Sequence, residues 1–230
     1  MTNLIAAAAV FVLIHLLISG TRVRDALVLR LGPGPYMGLF SLVSAVVLVW
    51  LALAFGQARV SPVNDVFWSV TPATRHLQAV IQLVAVLFVV IGLTTPNPTS
   101  VRQEGALDRP DVVRGMLRIT RHPFLWGVAL WAFGHLLVNG EAASLVLFGS
   151  MLVLALFGTV SIDAKRKRVL GAKWDVFAAQ TSNPPFLAII QGRQRLSIRE
   201  IGWWRILAGL LVWAALLWAH PYIAGVPALP

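Results

Sequence analysis

The chain has 230 residues, of which 58% are hydrophobic and only 12% are charged, and its mean hydropathy is +0.78. A soluble domain carries about 25% charged residues, so this composition excludes an ordinary water-soluble protein and indicates an integral membrane protein. The absence of cysteine excludes disulfides, thiolate metal sites and cysteine nucleophiles. The formal charge of +10 comes from basic residues that flank apolar runs, which favours membrane topology over nucleic-acid binding.

Six apolar runs, each of roughly 17–22 residues, predict transmembrane helices, because a helix bonds all of its backbone groups internally. In chain order the runs are Leu4–Ser19, Tyr36–Phe55, His76–Thr94, Pro123–Val138, Ala142–Ile162 and Trp203–Ile223. The fourth run is short, and we expect its helix to extend back through 117–122. The Asn139-Gly140 pair leaves room only for a tight turn, which predicts an antiparallel hairpin of runs four and five.

The predicted fold is therefore an all-α, polytopic, six-transmembrane-helix bundle that forms a single domain over residues 1–230. The loops at 100–120 and 165–200 are long enough for interfacial amphipathic helices. Of the 19 Lys and Arg residues, 17 follow runs one, three and five, and only Arg59 and Arg75 lie on the other side. The positive-inside rule then predicts cytoplasmic basic loops and both termini on the outer side of the membrane. We expect a bacterial inner membrane, for which the outer side is the periplasm. No basic n-region precedes the first run and no small-x-small cleavage site follows it, so we expect this run to be retained.

Two of the five histidines, His15 and His135, lie within apolar runs, where an ionisable side chain is costly and indicates a function. The alternatives for this pair are a neutral imidazole bonded to a neighbouring helix and a ligand of a metal or of haem iron. His76, His122 and His220 lie near the ends of runs, where contacts with water or headgroups are the simpler interpretation. No carboxylate lies in the middle of a run, which argues against a di-metal site or an acid–base pair.

Two sets of polar residues have the spacing i, i+4 and i+7, which places each set on one helix face. They are Arg114, Arg118 and Arg121, and His15, Ser19 and Arg22. The first set predicts a basic stripe that could hold haem propionates, a cofactor carboxylate or lipid phosphate. The predicted contacts to an anionic cofactor group are Arg22, Arg118, Arg121 and His122. We expect Gln78 and Gln82 to form hydrogen bonds with neighbouring helices.

Residues 117–123, which read Leu-Arg-Ile-Thr-Arg-His-Pro, are followed by Gly134-His135 and Asn139-Gly140. Together with 15–22 and the closing Ala-His-Pro of 219–221, this pattern resembles the NnrU family over nearly the whole chain. The resemblance implies either a factor that supports denitrification or a zeta-carotene-type polyene isomerase that uses haem b.

The same resemblance implies that His15 and His135 are the haem ligands. The extra cysteine of the isomerase branch corresponds to Ala132 here, so a redox-driven exchange of ligands is not implied. At 1.5 Å per residue, the two histidines would differ in depth by roughly 12 Å. The implied partners are the lipid bilayer, a lipophilic polyene and a respiratory or denitrification complex, without nucleic acid.

A more distant resemblance links Arg121-His122-Pro123 to the isoprenylcysteine carboxyl methyltransferases. It implies an alternative function as an S-adenosylmethionine-dependent membrane methyltransferase, with Arg121, His122 and Asp163 around the cofactor. The glutamate pair of those enzymes corresponds to Ile162 and Asp163, so one acid is missing. A further alternative is a non-catalytic accessory factor of a respiratory reductase.

Overall fold

A computed structural model of the chain describes residues 1–229, which fold into helices and loops and contain no β-strand. In chain order the helices are α1 (Thr2–Leu13), a π-helix (Ile14–Ser19), α2 (Arg22–Leu31), α3 (Pro33–Arg59), α4 (Pro72–Thr94), a 3-10 helix (Glu104–Asp108), α5 (Met116–Ile119), α6 (Pro123–Val138), α7 (Ala142–Leu170), α8 (Ala172–Gln180), α9 (Leu187–Ile190), α10 (Ile198–Ile201) and α11 (Trp203–Ala224). The predicted all-α class is confirmed.

Five helical segments are long and apolar enough to cross a bilayer, so the chain is a multi-pass membrane protein. They are α1 with the π-helix, α3, α4, α7 and α11. Helix α6 has 16 residues and spans about 24 Å at 1.5 Å per residue, less than the roughly 30 Å of a hydrocarbon core. The predicted count of six spans is therefore not confirmed, although α6 runs through the bundle beside the longer helices.

Helix α6 lies at the centre of the bundle and packs against α4 on one side and α7 on the other. Its approach to α4 depends on glycine, because a Cβ at Gly127 would lie 2.7 Å from the Val89 side chain and 2.9 Å from the Ala85 carbonyl. Helix α11 approaches α4 in the same way, through Gly209 against Leu87. The predicted hairpin of α6 and α7 is confirmed, and α1 packs on α3 and α7.

The loops gather at two ends of the bundle. At the end that we call the turn end, the α3–α4 loop meets the α6–α7 turn, where the Phe67 amide donates to the Gly140 carbonyl at 2.9 Å. At the other end, which we call the basic end, are α2, the α4–α6 connection and the α7–α11 connection. Helices α8, α9 and α10 occupy this last connection, in agreement with the helices predicted there.

The fourth predicted helix does not extend back through 117–122. Helix α5 ends at Ile119, Thr120 is extended (φ −156°, ψ 148°) and α6 begins at Pro123. Proline lacks an amide hydrogen and disfavours helical backbone in the residue before it, which explains the break at His122. Helix α7, in contrast, continues eight residues past the predicted end at Ile162 and includes Asp163.

Candidate functional site

His15 lies in the π-helix, where its Nδ1 is 2.8 Å from the Phe11 carbonyl oxygen. The imidazole lies between two aromatic rings, with centroids 4.5 Å from Phe11 and 5.3 Å from Phe40 of α3. Because π-helical bonds run from i to i+5, the predicted face shared by His15, Ser19 and Arg22 is not formed. The chain also leaves the helix at Gly20 before α2 begins.

His135 lies in α6, where its imidazole stacks on Phe148 of α7 with a centroid distance of 4.6 Å and an interplanar angle of 19°. Its Nδ1 is 2.8 Å from the Trp131 carbonyl oxygen. The Gln82 amide of α4 donates to the same carbonyl at 3.1 Å and to Gln78 Oε1 at 3.1 Å. The predicted hydrogen bond from this glutamine to a neighbouring helix is thus confirmed.

The hydrogen bonds assign the same tautomer to both imidazoles. The side-chain NH₂ group of Gln82 donates its two hydrogens to two oxygen acceptors. The 3.4 Å contact between this nitrogen and His135 Nδ1 is therefore not assigned as a hydrogen bond. Nδ1–H then donates to the Trp131 carbonyl, as His15 Nδ1–H donates to Phe11. Each ring keeps the Nε2 lone pair for a ligand, which is the arrangement that histidine ligands of metals adopt.

The two histidines lie at different levels along the length of α7. A Cβ at Gly20 would meet the Ser161 side chain, which places His15, five residues earlier, near the level of residue 156 of α7. His135 stacks on Phe148, about eight residues away, or roughly 12 Å at 1.5 Å per residue. A ligand shared by His15 and His135 therefore has to reach across about two helical turns. Within residues 1–229, no group of three or more His, Asp or Glu side chains is close enough to hold a metal ion.

Arg121 and His122, at the basic end, both contact Asp163 of α7. The arginine donates to the carboxylate from Nε at 3.0 Å and from Nη2 at 2.6 Å, and His122 Nε2 lies 2.7 Å from Oδ1. The His122 side chain is only 1% exposed, and the arginine and aspartate side chains are 14% and 20% exposed. Asn97 and Thr99 donate to the Arg121 carbonyl, at 3.0 and 2.9 Å. These contacts fix the extended segment between α5 and α6 against α7 and against the loop that follows α4.

Arg118 forms a second ion pair at the basic end, with Glu200 of α10 at 2.7 Å. The hydrogen bond from Arg118, together with the Gly115 amide, lowers the pKa of Glu200 to about 2. Arg114 pairs instead with Asp111 at 2.9 Å. The predicted basic stripe is wrong as a helix face, because α5 spans only Met116–Ile119 and includes only the middle one of the three arginines. The three arginines contact three different carboxylates.

Arg22, the remaining residue predicted to contact an anionic group, is exposed at the start of α2 and makes no ion pair within residues 1–229. His76 and His220 bond through Nδ1 to the Pro72 and Val226 carbonyls, at 2.7 Å each, and both lie near the turn end. The structure therefore brings together Arg121 and His122 and leaves Arg118 and Arg22 apart from them.

Asn183 is a site residue that the sequence interpretation missed. Its backbone carbonyl accepts from Thr120 Oγ1 at 2.6 Å and from Trp126 Nε1 at 2.8 Å. Its side-chain amide donates to Thr159 Oγ1 at 2.9 Å. It therefore connects the segment before α6 to α7. A single asparagine in a polar loop carries no spacing signal that would identify this role.

Comparison with known proteins gives one family and two relatives. The sequence model described as "NnrU: NnrU protein" matches residues 3–228. A 15-cis-zeta-carotene isomerase, chloroplastic, from Zea mays is 32% identical over 104 residues, which are 44% of this chain and 28% of the relative. The protein of the same name from Arabidopsis thaliana is 28% identical over 136 residues, which are 56% of this chain and 37% of the relative. The matches thus span about a third of the length of these relatives, and no solved structure matches the chain.

Proposed function

The chain belongs to the NnrU family, and we propose that it is a membrane-embedded isomerase that acts on a double bond of a linear polyene, with haem b held by His15 and His135. The observation that carries the proposal is the matched pair of imidazoles on two apolar helices, in a chain whose relatives are named as carotene isomerases. A multi-pass membrane protein meets a long hydrocarbon in the bilayer, where such a molecule dissolves.

The donor chemistry of the two histidines suits haem iron. Neutral imidazole is a haem ligand, and both rings have Nδ1–H on a backbone carbonyl and a free Nε2. Haem iron, when bound, supplies a metal centre that can interact with the π electrons of a double bond. Ala132, which replaces the cysteine of the isomerase branch, is fully buried and contributes no ligand atom.

The surrounding side chains hold the imidazoles in place and exclude water. Phe148 and Trp131 pack on the His135 ring, with centroids at 4.6 and 4.9 Å, and Phe40 packs edge-on against His15. The Trp131 carbonyl that orients His135 also accepts from the glutamine of α4, so that the tautomer is supported from a second helix. These groups position the imidazoles and are not expected to touch the reacting atoms.

The test is to purify the protein in detergent from haem-replete cells and to record oxidised and reduced spectra for the wild type, His15→Ala and His135→Ala. We expect a haem band in the wild type that is lost or shifted in both variants. His76→Ala is the matched control, because His76 has the same Nδ1 bond to the carbonyl four residues earlier but is exposed.

The same preparations in proteoliposomes are then given 15-cis-zeta-carotene, and the isomers are separated by chromatography. We expect each of the two alanine variants to lower turnover at least tenfold while His76→Ala retains it. A colourless wild type that turns over the polyene would contradict the haem assignment. A haem-loaded wild type without turnover would contradict the isomerase assignment.

A further inference from the structure

An apolar pocket of about 140 Å³ lies beside His15, between the π-helix, α2 and α3. Ile14 and Ile18 of the π-helix line it and flank the histidine in sequence. The aromatic rings of Tyr36 and Phe40 of α3 line it as well, and no charged residue does. The pocket therefore offers a hydrocarbon surface within one helical turn of a candidate haem ligand.

We propose that this pocket binds one end of a linear isoprenoid hydrocarbon that enters from the bilayer, namely the polyene of the proposed reaction. The inference rests on the proposed function, for which it names the binding site of the substrate's end. The remainder of the molecule lies outside the pocket, along the lipid-facing side of α3.

The size of the pocket limits its occupant to the end of a chain. A volume of about 140 Å³ is close to the roughly 150 Å³ of an engineered apolar cavity that holds one benzene molecule. A chain end of similar bulk fits, whereas a whole ligand of drug size needs about 300 Å³ or more. A polyene much longer than the pocket has to extend through its mouth.

The mouth of the pocket faces lipid. Leu31 of α2 and Leu39 and Val43 of α3 line the pocket and are 44%, 54% and 40% exposed. Leu39 and Val43 belong to the membrane-spanning helix α3, where exposed leucine and valine face acyl chains rather than water. A hydrocarbon dissolved in the bilayer can therefore enter without crossing a polar surface.

The aromatic rings favour a planar conjugated chain over a saturated acyl chain. The Tyr36 and Phe40 rings are nearly parallel, with an interplanar angle of 21° and centroids 5.9 Å apart, and Phe40 in turn contacts His15. Flat π systems gain from stacked and edge-on contacts with aromatic rings, which a flexible acyl chain does not match. This series of rings connects the pocket to the imidazole.

The π-helix forms the wall of the pocket that carries His15. Such helices are rare and occur frequently at functional sites, because the i to i+5 bonding changes which side chains share a face. Gly20, directly after it, lies so close to Ser161 of α7 that a side chain there would collide. This contact holds the end of the π-helix against α7, while Ile14 and Ile18 face the pocket.

The test fills the pocket and measures bound polyene separately from turnover. Val43→Phe adds bulk at the mouth, and Leu31→Phe does so from α2 on the other side. Val46→Phe is the matched control, because Val46 is an exposed valine of the same helix that does not line the pocket. Each full-length protein is incubated with 15-cis-zeta-carotene in proteoliposomes and repurified, and the retained polyene is extracted and quantified per protein.

We expect both pocket variants to retain at least fivefold less polyene than the wild type, and Val46→Phe to retain the wild-type amount. Size-exclusion chromatography and circular dichroism identify any variant that fails to fold. If one pocket variant fails, the retention measured for the other pocket variant tests the proposal. Equal retention by all four proteins, or phospholipid in place of polyene in the wild type, would overturn the proposal. If polyene retention depends on the pocket but the protein shows no turnover, the isomerase function is refuted and the binding site is supported. If Val43→Phe leaves turnover unchanged, the binding site alone is refuted.

Discussion

Asp163→Asn should cost about 2–4 kcal/mol of the free energy of unfolding. The carboxylate accepts from Arg121 through two nitrogens and contacts His122, in surroundings where these side chains are at most one-fifth exposed. Removing one partner of a buried ion pair typically costs 3–5 kcal/mol, and partial exposure of this pair reduces that figure. An asparagine side chain keeps one acceptor oxygen for the histidine but presents an NH₂ group to the buried guanidinium.

The assay is reversible unfolding of the purified protein in mixed micelles of increasing SDS content, followed by the fluorescence of its nine tryptophans. Asp111→Asn is the matched control, because its pair with Arg114 is more than half exposed and should contribute less than about 0.5 kcal/mol. The double variant Arg121→Gln/Asp163→Asn should lose less than the sum of the single losses, since no uncompensated buried charge remains.

A loss below about 1 kcal/mol for Asp163→Asn, or one equal to that of Asp111→Asn, would refute this reasoning. It would mean that water reaches Arg121 freely. In that case the segment between α5 and α6 would be held mainly by its backbone contacts, such as the Arg121 amide with the Ser182 carbonyl at 2.9 Å.

Two further substitutions test the basic end and the centre of the bundle. Glu200→Gln should cost about 1–2 kcal/mol at pH 7 after solvent screening. Because Arg118 lowers the pKa of Glu200 from an ordinary 4.5 to about 2, this stability is present above pH 4.5 and is lost as the pH falls towards 2. Thermal unfolding from pH 2 to 7 should therefore show the variant and the wild type converging in acid, and a constant difference would contradict it. Gly127→Ala should cost about 1–3 kcal/mol in the SDS titration, because its Cβ would press on the Ala85 carbonyl. Gly149→Ala in α7, where nothing lies within 4 Å, is its control and should not destabilise, so equal losses would contradict the close packing of α4 and α6.

Hydrophobic runs and charge asymmetry predicted the helical class and five of the long helices, because burial in lipid leaves few alternatives for an apolar segment. Pro123 is a sequence signal for the break that follows Ile119. The prediction nevertheless extended the fourth helix through this proline, because the fourth run is short for a membrane span. The π-helix at Ile14–Ser19 was not predictable from periodicity, since its sequence is as apolar as that of an ordinary helix.

The basic residues were easier to find than their partners. Arg118 and Arg121 were predicted to bind an external anion, whereas each contacts a carboxylate of the chain itself. Seven of the nine acidic residues lie in the same three basic stretches, which was a signal that these pairs form. Which acid meets which arginine, such as Glu200 with Arg118 across 82 positions, depends on tertiary structure and could not be read from spacing.

The pairing at the basic end also determines how the molecule responds to a membrane potential. That end holds 17 basic and seven acidic residues, while Arg59 and Arg75 are balanced by Asp65 and Glu141 at the turn end, so the whole formal charge of +10 lies at one end. Moving one elementary charge through 100 mV costs about 2.3 kcal/mol, so inverting the protein against such a potential would cost about 20 kcal/mol. In a membrane that carries such a potential, the charge asymmetry alone would favour one orientation of the bundle over the other.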